Sequence, residues 1–293
     1  MIEFKDLTII IPSLLSHINS RWIAQVNEFN QKKINIIICI PPNLSKKNKF
    51  VNKFEKDILI IISDKKGQVN QRQFSYKFVK TDYVMHMDDD TFINIKNLKI
   101  LLNQFEKLPR KSFIAPRLII KNEIKTKLLL KKFKSLLLYN QLNPRAGTIS
   151  KSTFEVPHNF SIDSNKAIES VDWIPGGISI IRKENIIQNK YFNFEGKAYC
   201  EDLIHSNILK NNGVQLFISN KSFYSTQLIN YKDLNTKDFI KFIKNDFQVR
   251  NYYRKSINNP LIPFFNVYLL LIINYLLRKI IINFILFKKN LFS

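Results

Sequence analysis

Three runs in the first 63 residues are almost entirely apolar and β-branched: 7–11 (Leu-Thr-Ile-Ile-Ile), 34–40 (Ile-Asn-Ile-Ile-Ile-Cys-Ile) and 57–63 (Asp-Ile-Leu-Ile-Ile-Ile-Ser). A strand with one wet face alternates apolar and polar residues. A continuous run is buried on both faces, as in a parallel sheet covered by helices. The segments between read accordingly. A helix over about 20–31 follows the first run, and Pro41-Pro42 closes the second. Gly67 opens a helix to about Lys80 with Phe74 and Phe78 on one face. A fourth strand, 83–87, precedes Leu98, Leu101, Leu102 and Phe105, which recur at i, i+3, i+4, i+7 as on an amphipathic helix. This alternation predicts an α/β fold: a mixed, mostly parallel, Rossmann-like sheet flanked by helices.

The second half is less regular. Residues 113–120 read as a strand interrupted by Pro116, and 121–139 as a basic amphipathic helix. Leu129, Phe133, Leu136 and Leu137 share one side of it and Lys131, Lys132 and Lys134 the other. Such a helix is either packed in the ordinary way or turned toward a membrane or an acceptor. Residues 140–170 are polar and irregular, suiting a loop over a site. Residues 171–175 lead to Gly176-Gly177 and a strand at 178–181. A helix over 201–210 stops at Asn211-Asn212-Gly213, and 214–218 is the last clear strand.

The predicted division is a catalytic domain over 1–228 and a helical appendage over 229–293. No charged residue occurs from 261 to 277; Arg278-Lys279 then interrupts, and an apolar run resumes before Lys288-Lys289. A spanning helix needs about 20 apolar residues. Pro263, Asn266, Asn274 and the basic pair favour two interfacial helices whose Lys and Arg snorkel to headgroups. The alternative is a helical hairpin packed on the protein's own core. At the other end, the run at 7–11 is too short for a signal peptide, preceded by Glu3 and Asp6 and ended by Pro12.

Against a formal net charge of +23, three consecutive carboxylates, Asp88-Asp89-Asp90, stand at the end of the fourth strand. Adjacent like charges raise one another's pKa unless something compensates them. Either the triplet is a solvated turn, or it holds a divalent cation such as Mn²⁺ or Mg²⁺, which take hard oxygen ligands. Ligands of open α/β sheets bind at the carboxyl ends of strands, and that is where the triplet lies. The basic surface suits anionic lipid or nucleotide phosphates. Only two cysteines are present, Cys39 and Cys200, with no metal-type spacing; they suit a reducing cytoplasm.

The opening Ile9-Ile10-Ile11-Pro12-Ser13, the triplet, Trp173-Ile174-Pro175-Gly176-Gly177 and Cys200-Glu201-Asp202, in that order, resemble glycosyltransferase family 2, nucleotide-sugar enzymes of the GT-A fold. The resemblance covers roughly residues 7–225. It implies that Asp88 and Asp90 are the family's D-x-D and hold Mn²⁺ or Mg²⁺ against the donor diphosphate, with Asp89 an alternative contact to nucleotide or ribose. It implies that Pro12 and Ser13 lie where the base sits, and that Gln71 or Arg72 contacts the base or a phosphate. Trp173, Gly176 and Gly177 would border the donor sugar, glycine lacking a Cβ that would obstruct it; a plain turn is the other reading of the glycines. Asp202 resembles the base of inverting members, with Glu201 orienting the acceptor, whereas acids at a helix start also serve as caps. His205, one turn on, stays outside the metal set.

Two departures stand out. Residues 40–45 lack the acidic segment that usually recognises the base, and the late histidine some members place near the metal is replaced by Ser225 and Thr226. The implied function is transfer of a sugar, from a UDP-sugar first of all, to a hydroxyl of a lipid-linked or cell-surface glycan, on the cytoplasmic face of a membrane. A sugar nucleotidyltransferase would carry a Gly-rich basic loop after the first strand, where Pro12-Ser13-Leu14-Leu15 stands. A basic membrane or nucleic-acid binder leaves the acidic clusters unexplained, and no nucleic-acid motif is present.

Overall fold

The computed structural model describes residues 2–16, 18–42, 44, 54, 57–119, 128–158, 166–188, 200–226 and 235–291. By internal contacts the chain forms two compact units. The first comprises Met1–Glu123, Arg145–Thr148 and Pro157–Gln227; the second comprises Ile124–Pro144, Ile149–Val156 and Leu228–Ser293. The second unit is therefore not the tail alone, since it takes in two segments from the middle of the sequence.

The first unit is built on one sheet. Its strands are β1 (Leu7–Pro12), β2 (Asn35–Ile40), β3 (Leu59–Ile62), β4 (Tyr83–Met87), β5 (Thr91–Phe92), β6 (Ser112–Leu118), β7 (Ile168–Ser170), β8 (Ile178–Arg182) and β9 (Gln215–Thr226). The order is β3-β2-β1-β4-β8-β6-β9-β5, with β7 also on β9. The first four strands run parallel, as continuous Ile runs require. From β8 on, the sheet is mixed: β8 is antiparallel to both β4 and β6, while β6 and β9 are parallel. Because β8 enters from the opposite end, the glycines preceding it arrive beside the carboxyl end of β4.

Alternation explains why both faces of each Ile run are apolar. Ile9, Ile11, Ile36 and Ile38 point into one cluster and Ile10, Ile37 and Cys39 into the other. Helices α1 (Ser20–Gln31) and α3 (Ile95–Glu106) cover the first cluster with Trp22, Val26, Phe29, Leu98, Leu101 and Phe105. Each fully buried side chain of this kind contributes about 1.5–3 kcal/mol. Both helices start at an asparagine cap: Asn19 Oδ1 accepts from the Trp22 amide at 2.9 Å and Asn94 Oδ1 from the Asn97 amide at 2.8 Å. The other face carries α2 (Gln68–Ser75) and α5 (Glu201–Asn211). The helix expected to run from Gly67 to about Lys80 is shorter: α2 stops at Ser75 and a 3₁₀ turn over Tyr76–Phe78 completes the segment.

The last strand runs well beyond the expected 214–218. β9 continues to Thr226 because a register shift at Pro116/Arg117 of β6 lets it bend on past Ser219. Proline has no N–H to give to a ladder, so an irregularity there costs little. Within the supposed irregular stretch, β7 pairs with β9 and Ile149 bridges Glu155. The expected helix over 121–139 is described only as α4 (Leu128–Tyr139), with Leu136 and Leu137 exposed; residues 121–127 lie outside the described residues.

In the second unit, α6 (Thr236–Ser256) and α7 (Leu261–Leu291) pack together. Phe247 meets Phe264, Phe265 and Tyr268, and Phe239 stacks on Tyr275 at 3.8 Å. Arg250 is buried between Asp246 and Glu155, and the Tyr268 hydroxyl donates to Asp246. The two interfacial helices expected in the tail are instead one helix running through Arg278-Lys279. Pro263 falls in its first turn, where the missing N–H would have had no intrahelical partner anyway, and Arg278 is exposed. Leu261–Ile280 is long and apolar enough to cross a membrane. Its Ile262, Phe265, Leu269, Ile273, Leu276 and Ile280 are exposed.

Candidate active site

All twelve residues singled out from sequence lie in the first unit, around the carboxyl ends of β1 and β4 and the start of α5. The β4/β8 pairing carries one step beyond the strand, where the Asp88 amide donates to the Gly177 carbonyl at 2.9 Å. The chain then turns: the Thr91 amide and hydroxyl both donate to the Asp88 carbonyl, at 3.2 and 2.8 Å. β5 next pairs with the end of β9, Thr91 opposite Thr226 and Phe92 opposite Ser225. The acidic loop is thus pinned on both sides by strands.

The three aspartates have three different environments. Asp88 Oδ1 accepts from Gln68 Nε2 at 2.6 Å and from Arg72 Nη2 at 3.2 Å. Asp89 Oδ2 accepts from the Ser13 hydroxyl at 2.6 Å, and that same Ser13 oxygen accepts from the Leu15 amide at 2.8 Å. Asp90 has no hydrogen-bond or ion-pair partner among the described residues, and it is partly exposed. Burial, then the neighbouring charges of Glu201 and Asp90, push the Asp88 carboxyl up to about 8, although Arg72 and Gln68 pull the other way.

Arg72 is the hub. Its guanidinium is buried, and besides Asp88 it reaches both oxygens of Glu201, at 3.0 and 3.1 Å. One side chain of α2 therefore ties the end of β4 to the start of α5. Gln71 is buried as well, and its amide donates to the carbonyls of Ser13 and Cys39, holding the ends of β1 and β2. The Gln71 amide and the Arg72 Nη atoms are turned inward and brace the loops that carry the site, while Arg72 Nε is buried without a partner among the described residues.

On the other side, α5 begins at Cys200, which has a left-handed φ of +52° and makes no side-chain cap. Glu201 is turned to Arg72, while Asp202 accepts from the Leu203 amide at 3.0 Å and is partly exposed. The glycine pair sits against both acidic groups. A Cβ on Gly176 would stand 3.2 Å from Glu201 Oε1 and 3.8 Å from Asp202 Cβ. One on Gly177 would stand 3.2 Å from Thr91 Cγ2 and 3.3 Å from the Tyr224 hydroxyl. Trp173 is buried and packs on His158, with centroids 4.2 Å apart, so its indole is a wall of the fold and not an open platform. His205 is buried beside His86 and Phe113, and burial with the Arg72 charge lowers its pKa to about 3. It is held neutral inside the protein.

Among the described residues no three His, Cys, Asp or Glu side chains come together as a metal cage. Mg²⁺ and related cations are commonly held by one or two carboxylates, with substrate phosphates completing the shell. Asp90, without a partner among the described residues and two positions from Asp88, fits that pattern. Sequence reasoning missed Tyr224, because the strand that carries it was expected to end six residues earlier.

Residues 41–169 match the family model described as glycosyl transferase family 2. Among solved structures, GalNAc-T7 with UDP, GalNAc and Mn²⁺ aligns with a TM-score of 0.50 at 12% identity, over 83% of this chain and 47% of that one. S. aureus TarS 1–349 aligns at 14% identity and a TM-score of 0.45, over 83% and 64%; its UDP-GlcNAc complex gives 12%, 0.45, 83% and 66%. The chain thus spans between about half and two thirds of these solved chains. The fold is GT-A, a mixed sheet flanked by helices, with an apolar helix at the carboxyl end. No curated protein sequence matches the chain significantly.

Proposed function

We propose that this protein is a glycosyltransferase that moves a sugar from a nucleoside diphosphate donor to an acceptor hydroxyl with inversion, and that Asp202 is the base. One observation carries the reading: Asp90, which has no partner among the described residues, and the Asp202 carboxylate belong to two acidic segments that meet at Gly176-Gly177, a backbone stretch without side chains. The family match and the GT-A fold support it. GalNAc-T7, solved with UDP and Mn²⁺, supports UDP and Mn²⁺ as the first donor nucleotide and cation to try.

In this reading Asp90, with Asp88 behind it, holds Mn²⁺ or Mg²⁺. When bound, the cation neutralises charge gathering on the departing diphosphate. Asp89 and Ser13 form a hydrogen-bonded pair at the end of β1, at the nucleotide end of the site, and Pro12 ends the strand below them. The acceptor oxygen bonds to the anomeric carbon as the bond to the diphosphate oxygen breaks, and the acceptor proton passes to Asp202. The carboxylate is placed for this in the first turn of α5, where Arg72 keeps Glu201 fixed beside it. Gly176 and Gly177 leave room for the donor sugar.

We further propose an acceptor presented at a membrane, a lipid-linked or cell-surface glycan. The exposed apolar side of α7 and the charge of +23 support contact with an anionic bilayer surface. Two free thiols, Cys39 and Cys200, favour its cytoplasmic face.

The test is a panel of nucleotide sugars assayed for Mn²⁺-dependent transfer or hydrolysis, with two variants alongside. Asp90→Asn should lose the metal dependence of donor binding. Asp202→Asn should bind donor normally and lose about 10²–10⁴-fold in turnover, the usual worth of a positioned base. Near-normal turnover by Asp202→Asn would remove it as the base, and metal-free activity in the wild type would remove the cation.

A further inference from the structure

We infer that the Tyr224 hydroxyl touches the donor, giving a hydrogen bond to an oxygen of its diphosphate; this rests on the glycosyltransfer reading above and adds to it a residue that reading does not use.

Tyr224 lies on the part of β9 that continues beyond the bulge, one residue before the pairing of Ser225 with Phe92. Its backbone is fixed, since its carbonyl accepts from the Ile119 amide at 2.8 Å. Its ring is sunk in the larger core cluster, and the residue is only 4% exposed. The hydroxyl end emerges at Gly177, where a Cβ would stand 3.2 Å from ring Cε2 and 3.3 Å from the oxygen. Gly177 in turn accepts from the Asp88 amide at 2.9 Å. The phenol is therefore aimed at the acidic loop across a residue that has no side chain.

The ring is buried, whereas the hydroxyl oxygen keeps some contact with solvent, where a bound ligand can reach it. This hydroxyl has no hydrogen-bond partner among the described residues. The groups around it are short of donors: Asp88, Asp89, Asp90, Glu201 and Asp202 only accept when ionised. Of the nearby side-chain donors, the Arg72 Nη atoms go to Glu201 and Asp88, Gln68 to Asp88 and Gln71 to two carbonyls, while Arg72 Nε is buried without a partner among the described residues. A tyrosine hydroxyl keeps its proton at neutral pH and so remains a donor. A diphosphate brings only acceptor oxygens and most needs such a group as charge gathers on it. No proton is transferred: the O–H stays covalent and shortens its contact as the leaving group forms.

The experiment compares the wild-type full chain with Tyr224→Phe, which keeps the ring and removes one oxygen. Binding of UDP and UMP is measured by calorimetry with saturating Mn²⁺, together with the melting temperature; GDP and GMP, ADP and AMP, or CDP and CMP replace them if the wild type prefers another base. The expected result is a loss of about tenfold to a hundredfold in diphosphate affinity, as for a hydrogen bond to a charged group. Monophosphate affinity and melting temperature should be unchanged. Equal diphosphate affinity in the two proteins would overturn the inference, as would an equal loss for diphosphate and monophosphate, which marks a general disturbance. If the wild type binds no nucleoside diphosphate, the glycosyltransfer reading itself fails and this inference falls with it.

Discussion

Replacing Arg72 by methionine should be among the most damaging single changes in the first unit. The side chains involved are nearly dry: Arg72 is 7% exposed, Glu201 9% and Asp88 23%. Its guanidinium is bidentate to Glu201 at 3.0 and 3.1 Å and reaches Asp88 at 3.2 Å. Methionine fills much of the same volume, so the loss is mainly electrostatic. Two buried carboxylates would face each other with their common cation removed. Breaking a buried pair on one side costs about 3–5 kcal/mol. For a unit of this size each kcal/mol lowers the melting temperature by about 2–4 °C, so the fall should be about 6–20 °C. Circular dichroism melts of the metal-free full chain read this directly. Arg110→Met is the control: Arg110 makes equally short contacts to Glu184, at 2.6 and 2.7 Å, but is 81% exposed, and solvent screens such pairs. Its melting temperature should not move. Adding Glu201→Gln to Arg72→Met removes one stranded charge and should recover part of the loss. A melting temperature for Arg72→Met within about 2 °C of wild type would refute the claim that the guanidinium holds these two elements together.

Two further predictions concern regions outside the acidic loop. Burial holds the pKa of His205 at about 3 in the folded protein against about 6.5 in an unfolded chain. The unfolded state therefore takes up the proton first: the stability contributed by neutral His205 is complete above pH 6.5 and is lost as pH falls toward 3. The slope is about 1.4 kcal/mol per pH unit for this group, and His205→Asn should flatten it in urea melts at pH 7, 6, 5 and 4; parallel curves would argue against a buried neutral histidine. For α7, sedimentation with vesicles containing anionic lipid should carry the wild-type protein down. Leu269→Glu with Leu276→Glu, both at exposed positions, should leave it in solution. Retained binding by the double variant would rule out this face as the membrane contact.

The acidic residues of the site were legible because their chemistry is local. Three adjacent carboxylates after a buried strand, and two more at a helix start, are anomalies in a basic chain, and their order along it matches a known family. The bracing residues were less legible. Gln71 and Arg72 were found by motif, but what they hold depends on Ser13, Cys39, Asp88 and Glu201, the last of these 129 positions from Arg72. The resemblance put Trp173 beside the donor sugar, and its burial on His158 is a contact no local pattern announces. Tyr224 gave no signal, because the bulge that extends β9 arises from the pairing of two distant strands.

The tail shows the same division. Apolar composition marked residues 261–287, and the basic pair Arg278-Lys279 suggested a break, yet one helix runs through it with Arg278 exposed.

From its own residues the chain determined a sheet buried on both faces, since continuous β-branched runs have no other stable place. It also determined a cluster of like charges that must be compensated from outside the loop. Tertiary structure alone decided who compensates whom. Arg72 goes to Asp88 and Glu201, Ser13 goes to Asp89, and Asp90 is left without a partner among the described residues. Periodicity and propensity act over a few residues, whereas the pairing of buried charges depends on which strand ends and helix starts the completed sheet brings together.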